Sequence, residues 1–325
     1  MKLATFVAPD GEPAIGSVDT QSQTILDLQR AHIAGFGQSC PQFESMLTLM
    51  AADDAALDLA RDLAEQRDSS QHQMPLAEIK LLAPVPLPAQ IRDFSSYEKH
   101  LRGAPAGMSV LKARLNGDVV PEISSIKVQP ADVYYRQPIY YISNRFNVIG
   151  HDTDVTWPDY CEYLDFELEF GVFIGRKGKD IPAKQARRHI FGYCIFNDFS
   201  ARDPQLREMS GFMGPAKGKS FDTGNAIGPW IVTADEIPDP AALRVNVKVN
   251  GEVWAASTTG NMLHSFEDMI AFVSRSETLH PGEFFGSGTI GGCCGLEMDR
   301  WLKPGDVVEL DVERLGVLRN RVARG

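Results

Sequence analysis

The clearest pattern in the chain is a seven-residue run, residues 164–170, in which apolar and acidic side chains alternate. Successive side chains of a β-strand point to opposite faces, so this period of two predicts a strand. Its apolar face consists of Leu164, Phe166, Leu168 and Phe170. Its acidic face consists of Asp165, Glu167 and Glu169. Residues two positions apart on a strand are about 6.8 Å apart, so the two glutamates can share one cation; the alternative is a solvated acidic face.

Other apolar patterns predict short strands near the N-terminus and a helical segment after them. The strands are expected at residues 3–7, 15–18 and 24–28. From residue 43 to residue 67 the apolar residues recur with the period of a helix. Further along, Asn250-Gly251 predicts a two-residue hairpin turn, and Ser265 followed by Asp268 predicts the start of a short helix.

Three prolines between residues 82 and 88 predict a stiff, extended connector. Before it the patterns are those of a small α+β unit, and after it the chain is strand-rich and punctuated by glycines. We therefore predict a small N-terminal α+β domain at residues 1–81, a connector at residues 82–91 and a larger domain at residues 92–325.

The composition is that of a globular protein, with 43% hydrophobic and 23% charged residues in a chain of 325. The formal net charge of −11 argues against non-specific binding to nucleic acid or to anionic membranes, because both need a basic surface. No apolar run approaches the length of a membrane span, and Pro9-Asp10-Gly11 interrupts the N-terminus too early for a signal peptide. We expect a cytoplasmic protein that binds neither nucleic acid nor membranes.

The cysteines are too few and too scattered for a disulfide framework. They are Cys40, Cys161, Cys194, Cys293 and Cys294. The adjacent pair at residues 293–294 lacks the spacing of zinc or thioredoxin-like sites. We interpret all five as buried or incidental thiols in a reducing compartment.

Three further stretches contain groups suited to chemistry. Residues 92–100 (RDFSSYEKH) place a histidine near an acid, which by itself is typical of an ordinary surface or core histidine. Residues 196–203 (FNDFSARD) place polar groups where an apolar strand ends, a common location for catalytic side chains. Residues 214–224 (GPAKGKSFDTG) form a loop that is either mobile or an anion site built from backbone N–H groups.

Together these stretches resemble the fumarylacetoacetate hydrolase family, metal-dependent enzymes that act on dicarbonyl acids. The match covers about residues 82–325, and the motifs occur in the family's order: R-D-F…H, E-x-E on a strand, N-D-x-S-A-R-D, G-K-S-F-x-T and G-T-I-x-G. The resemblance implies an α+β, β-rich fold, in which the small N-terminal domain is followed by a catalytic domain of the mixed β-sandwich-roll type. Family members are commonly homodimers, so a homodimer is expected.

The resemblance also implies roles for individual residues. The metal carboxylates correspond to Asp93, Glu167, Glu169 and Asp198. The catalytic groups correspond to the general base His100, to Lys219 and to the histidine-orienting acid Glu297. The substrate-contacting positions correspond to Tyr141, Arg202, Gln205 and Thr289, with Thr223 near the cation. Two simpler interpretations stay open: Tyr141 belongs to an aromatic run that can be core, and Arg202 can pair with Asp203.

This chain departs from the family's animal hydrolase at two positions. Met209 stands where that enzyme has a tyrosine, and Ser109 stands where an arginine follows the histidine. These departures bear on which substrate is bound more than on the class of reaction.

The residue types fit the implied chemistry independently. Carboxylate oxygens suit Mg²⁺, Mn²⁺ or Ca²⁺ rather than zinc. A 2,4-dioxo acid, such as an acylpyruvate or a fumarylacetoacetate-like substrate, can leave an enolate when its C–C bond is cleaved, and a chelated metal with Lys219 can stabilise that charge. We predict a C–C hydrolase in which His100 activates water, with a role in aromatic catabolism. The alternatives are an oxaloacetate-type decarboxylase or tautomerase, a 2-oxo-pentenoate hydratase, and a binding protein without activity.

Overall fold

The computed structural model describes residues 1–52, 54–66 and 72–324 of the chain. Its strands, in chain order, are β1 (Lys2–Val7), β2 (Pro13–Asp19), β3 (Thr24–Asp27), β4 (Gln73–Pro75), β5 (Lys80–Leu81), β6 (Gln90–Phe94), β7 (Tyr140–Ser143), β8 (Val148–Ile149), β9 (Val155–Trp157), β10 (Leu164–Asp165), β11 (Leu168–Ile174), β12 (Gly178–Lys179), β13 (Ile190–Asp198), β14 (Ser200–Ala201), β15 (Asn225–Thr233), β16 (Arg244–Val249), β17 (Glu252–Thr258), β18 (Thr278–Leu279), β19 (Glu283–Gly286), β20 (Val307–Val312) and β21 (Gly316–Arg324). Its α-helices are α1 (Leu28–Phe36), α2 (Met46–Ala51), α3 (Asp54–Glu65), α4 (Glu98–Asn116), α5 (Val133–Arg136), α6 (Ala183–Ala186), α7 (Arg202–Met209), α8 (Phe266–Val273) and α9 (Gly295–Met298).

Two sheets form the framework of the molecule. The larger has the strand order β4–β3–β2–β1–β15–β13–β11–β19–β6–β7, with β5 paired to β1 and β8 paired to β15. The smaller has the order β17–β16–β20–β21–β9. Most neighbours are antiparallel, whereas β6 with β19, β8 with β15 and β9 with β21 are parallel. The mixed, β-rich α+β class that the sequence predicts is confirmed.

The strand predicted at residues 164–170 is divided between two sheets. Its first two residues form β10, which pairs with β14 in a separate two-stranded sheet, and the run enters the large sheet at Leu168 as β11. The four apolar side chains are buried, as predicted. Asp165, Glu167 and Glu169 are buried as well, so the alternative of a solvated acidic face is wrong.

The N-terminal segment shares both a sheet and a core with the rest of the chain. Strand β1 pairs with β15 through Lys2 and Leu3. Buried residues of helices α1 to α3 pack against Phe173, Phe196 and Phe284, which lie on the central strands of the large sheet. The opposite face of these strands packs in a second cluster with the smaller sheet. The division at residues 81 and 91 stays a prediction.

The local predictions differ in outcome. The hairpin at Asn250-Gly251 is confirmed, with φ of 53° and 78° at the two turn residues, and Ser265 caps α8 in a complete capping box with Asp268. The helical period at residues 43–67 corresponds to two helices, because α2 ends at Ala51 and α3 begins at Asp54; Arg67 lies outside the described residues. Helices α1 and α4 were not predicted.

All five cysteines are free and buried, which confirms that part of the sequence prediction. Within the described ranges, no helix is both long enough and apolar enough to cross a membrane.

Candidate active site

Three carboxylates on three strands of the large sheet converge at one end of those strands. Asp93 lies on β6, Glu169 lies on β11, and Asp198 is the last residue of β13. Their oxygens include a set that lies within 4.8 Å of one another. Strand β19 runs between β6 and β11 and carries Gly286 there; a Cβ at this glycine would come 2.8 Å from Asp93 Oδ1 and 3.0 Å from Glu169 Oε2. The absence of a side chain at Gly286 therefore leaves the space in which the acids meet.

Each of these carboxylates has one buried oxygen without a hydrogen-bond partner among the described residues. They are Asp93 Oδ1, Glu169 Oε1 and Asp198 Oδ1. The other oxygen of Glu169 accepts the Gly288 N–H at 2.9 Å, and that of Asp198 accepts the Tyr141 hydroxyl at 2.8 Å. Leaving a buried carboxylate oxygen unpartnered is costly, and hard divalent cations prefer such oxygens. The three residues therefore fit a divalent metal ion.

The electrostatics of this cluster favour a cation. Burial raises the pKa of Asp93 well above its usual value, and the charge of Asp198 adds to the effect. Burial likewise raises the pKa of Glu169 well above its usual value, with a further contribution from Asp93. The pKa of Asp198 is also raised by burial, although Lys219 opposes this. A metal ion that binds here must displace protons, so its affinity should increase with pH.

Glu167 lies beside the cluster, and both of its oxygens are engaged. Arg202 Nη2 donates to Oε1 at 2.6 Å, and Lys219 Nζ donates to Oε2 at 2.6 Å and also to Asp198 Oδ2. Burial alone would raise the pKa of Glu167, but the charges of Arg202 and Lys219 outweigh it and hold the pKa well below its usual range. Glu167 is thus ionised and ion-paired, and its role as a metal ligand stays a prediction.

Asp165 connects Arg202 to the start of α9, and no role was predicted for it from the sequence. Its carboxylate accepts Arg202 Nε at 2.8 Å and the N–H groups of Gly295 and Leu296 at 2.7 and 2.9 Å. Arg202 is therefore paired with Asp165 and Glu167 rather than with Asp203, and its Nη1 donates to Gln205 at 3.0 Å. The only signal in the sequence was the position of Asp165 as the first acid of the alternating run.

His100 and Glu297 are brought together although 197 positions separate them. The Nδ1 atom of His100 lies 2.7 Å from Glu297 Oε1, and Nε2 lies 3.9 Å from Glu167 Oε1. A carboxylate oxygen accepts, so this contact places a proton on Nδ1 and leaves Nε2 available on the cavity side. The second oxygen of Glu297 accepts the Gly292 N–H at 2.9 Å.

Two glycines one helical turn apart allow this pairing. A Cβ at Gly103 would lie 2.5 Å from Glu297 Oε2, and one at Gly107 would lie 2.4 Å from the Leu296 carbonyl oxygen. Helix α4, which carries His100, can therefore lie directly against α9, which carries Glu297. Sequence reasoning missed both glycines, because only the partner helix makes them necessary.

Of the remaining predicted site residues, three line the cavity and one does not. Tyr141, Gln205 and Thr289 line the same cavity as the acids. The Thr223 hydroxyl instead accepts the Thr156 N–H at 2.9 Å, and its role near a cation stays a prediction.

The loop after α7 does hold an anion on its backbone N–H groups, but the anion belongs to the protein. The Glu208 carboxylate accepts the N–H groups of Ala216, Lys217 and Gly218 at 2.8, 2.6 and 3.0 Å. The Glu208 carboxylate therefore occupies these N–H groups, and a role of this loop in binding the anion of a ligand stays a prediction.

Most of the predicted site residues line one cavity of about 500 Å³. Its polar end carries Asp93, His100, Tyr141, Glu167, Glu169, Arg202, Lys219 and Thr289. The rest of its wall is largely apolar and comes mainly from α4 and α7. The cavity can thus hold a small molecule with a polar head at the acidic cluster.

Comparison with known proteins identifies the group to which these features belong. Residues 97–323 match the family model described as fumarylacetoacetate (FAA) hydrolase C-terminal. The chain is 30% identical over 325 residues to a protein of Rattus norvegicus named oxaloacetate tautomerase Fahd2a, mitochondrial. The alignment covers 99% of this chain and 91% of the rat protein.

Solved structures share the fold over the whole chain. The fumarylacetoacetate hydrolase of the psychrophilic Exiguobacterium antarcticum is 26% identical, with a TM-score of 0.72 and coverage of 100% of both chains. The maleylpyruvate hydrolase of Sphingobium sp. SYK-6, in complex with manganese(II) and pyruvate, is 23% identical over 100% of both chains, with a TM-score of 0.71. At that identity the second similarity concerns the fold.

We predict that Glu169→Gln weakens the binding of Mg²⁺ or Mn²⁺ at least about tenfold, because it removes a charged ligand from the cluster. Isothermal titration calorimetry at several pH values measures this, and in the unmodified protein the affinity should rise with pH as protons are displaced. Glu44→Gln, an exposed change in the N-terminal segment, serves as the control. Equal affinities in the two variants would contradict the assignment of the cluster as a metal site.

We predict that Gly103→Ala separates His100 from Glu297, because the new methyl group needs the space of the Glu297 carboxylate. NMR of the histidine side chains should lose the signal of the hydrogen-bonded Nδ1 proton of His100. Gly35→Ala is the matched control, since it is also a helical glycine but has open space around it. Retention of the His100 signal in Gly103→Ala would show that the two helices do not depend on this glycine.

Proposed function

Because the chain belongs to the fumarylacetoacetate hydrolase family, whose compared members are enzymes, we propose that it is a divalent-metal-dependent hydrolase that cleaves a C–C bond in a 2,4-dioxo acid. One observation carries the proposal: His100, which contacts Glu297, lines the same cavity as Asp93 and Glu169 of the acidic cluster. A base held in one tautomer, next to a site for a cation, is the combination that this hydrolysis requires.

The acidic cluster would hold Mg²⁺, Mn²⁺ or Ca²⁺ through Asp93, Glu169 and Asp198, with Glu167 as a further candidate ligand. When bound, such a cation polarises the oxygens of a dicarbonyl acid and stabilises the negative charge that develops on them. Lys219, buried between Glu167 and Asp198, supplies a second positive charge at the same end of the cavity. In a buried site this charge is worth more than it would be in water.

His100 moves the proton in the proposed reaction. The oxygen of a water molecule forms a bond to the distal carbonyl carbon of the substrate as one of its protons passes to Nε2 and the C=O π pair moves to the carbonyl oxygen. That pair re-forms the C=O bond in the next step. The bond between that carbon and C3 then breaks, and its electron pair stays on the three-carbon acid as an enolate. The proton returns from Nε2 to C3, which gives pyruvate and a carboxylic acid. Glu297 keeps the ring oriented throughout, through its contact with Nδ1.

A second candidate is an oxaloacetate tautomerase. It is favoured by the similarity to the rat protein of that name, which extends over 99% of this chain. The same histidine could move a proton between C3 and the C2 oxygen without any attack by water. The two reactions therefore share the cluster and the base, and they differ in whether a C–C bond is broken.

Two further expectations from the sequence remain proposals. We keep the homodimer and the small-molecule dioxo acid as the partners. We also keep the cytoplasmic location, although the rat relative is named as mitochondrial.

We predict that His100→Ala lowers the hydrolysis of acylpyruvates by about 10²-fold or more, the usual contribution of a general base, while metal and oxalate affinities persist. The loss of enol absorbance measures hydrolysis, and calorimetry measures binding. The hydrolase proposal fails if the unmodified protein leaves every acylpyruvate intact. Interconversion of the keto and enol forms of oxaloacetate in that same experiment would establish the tautomerase instead.

We predict that Lys219→Met lowers kcat more than it changes metal affinity, because its charge matters most when negative charge develops on the substrate. Steady-state kinetics beside a metal titration separate the two effects. Lys217→Met, two residues earlier on the same loop and exposed, is the matched control. An effect confined to KM would make Lys219 an anchor for the bound substrate rather than a catalytic group.

A further inference from the structure

Apart from the charged residues and the polar Ser95, Tyr134 and Gln205, the wall of the cavity is largely apolar. The apolar side chains come from α4, α7, α9 and the loops that follow α5 and α7. They are Leu101, Ala104, Pro105, Met108, Ile139, Leu206, Met209, Pro215 and Leu296. Such a surface gains free energy by covering hydrocarbon, and it offers nothing to a charged group.

The cations in the described lining of the cavity are already committed. Arg202 and Lys219 both lie at the polar end and are paired there with Asp165, Glu167 and Asp198. A second carboxylate at the far end of a substrate would therefore find no free cation in that wall.

Basic residues close in sequence to the apolar wall are engaged elsewhere. Arg102 donates to Glu98 and to the Val128 carbonyl oxygen. Arg207 pairs with Asp203, and the Lys217 ammonium group lies 5.1 Å from the centre of the Tyr160 ring. None of these contacts turns a positive charge towards the apolar wall.

The volume also indicates a substrate with an extended substituent. The cavity of about 500 Å³ lies well within the range of ligand pockets, and a four-carbon acid at the polar end would leave much of it unfilled. An apolar wall of this kind is covered most favourably by hydrocarbon.

We propose that the apolar half of the cavity binds an uncharged aliphatic or aromatic acyl group, so that the substrate carries its one carboxylate at the acidic cluster. This inference rests on the proposed function for the position of the acid head. It names the substrate class as monocarboxylic 2,4-dioxo acids with a hydrophobic tail. Substrates with a second carboxylate at the tail end are disfavoured.

The binding of unreactive 2-oxo acids of increasing length tests the site for the hydrophobic tail without any catalytic step. Calorimetry on the Mn²⁺-loaded protein would compare pyruvate, 2-oxobutanoate, 2-oxohexanoate and 2-oxooctanoate. The affinity should rise about fourfold for each methylene group that the wall buries. At equal length, 2-oxohexanoate should bind at least about tenfold more tightly than 2-oxoadipate, which ends in a second carboxylate.

A charge placed in the wall should reverse this preference. Met108→Arg puts a guanidinium group into the apolar half, and 2-oxoadipate should then bind more tightly than 2-oxohexanoate. Leu115→Arg is the control, since it makes the same kind of change two turns further along α4 at a partly exposed residue outside the cavity. Thermal unfolding shows whether both variants are folded, and the ligand series on the unmodified protein decides the question if either is not.

The outcomes separate this inference from the proposed function. If pyruvate binds with Mn²⁺ but longer tails add no affinity, or 2-oxoadipate binds as tightly as 2-oxohexanoate, the apolar tail site is wrong and the proposed function stands. If no 2-oxo acid binds in a manner that depends on Mn²⁺, the proposed function itself is wrong.

Discussion

The compensation of buried negative charge is the constraint on which the site depends. The buried carboxylates are Asp93, Asp165, Glu167, Glu169 and Asp198. Among the described residues, Arg202 and Lys219 are the cations that hydrogen-bond to members of this group, and they reach Asp165, Glu167 and Asp198. A buried charge without a partner shifts its pKa until it is neutral, and this is the direction for Asp93 and Glu169. The fold therefore holds two acids that only an additional cation would keep ionised.

The same network fixes the geometry of the catalytic groups. Asp165 holds Arg202 and also accepts two N–H groups at the start of α9, the short helix that carries Glu297. The acid that contacts His100 is therefore tied to the arginine that contacts Glu167. A change in one part of the network must alter the others, because buried ionic groups tolerate little displacement.

The sequence predicted the local features of this arrangement and missed those that depend on distant contacts. The alternation at residues 164–170 predicted correctly which side chains are buried on the apolar face, but the same alternation is compatible with a solvated acidic face. Burial of the acids depends on α9 and on the loop after α7, which no local pattern places there. Helix α4 was missed because Gly103, Pro105 and Gly107 give it a low helix propensity, and the first and last of these are explained only by their contacts with α9. From the sequence, only the family resemblance indicated that Glu297 contacts His100.

The Glu208 carboxylate that fills the loop after α7 has a consequence for ligand binding. Its three hydrogen bonds fix the start of the segment that follows Pro215, and both Pro215 and Gly214 belong to the wall of the cavity. In this loop a side chain of the protein occupies the backbone N–H groups that in other loops bind the anion of a ligand. This part of the wall is preorganised, so a ligand that binds against it loses little of its binding free energy to ordering the chain.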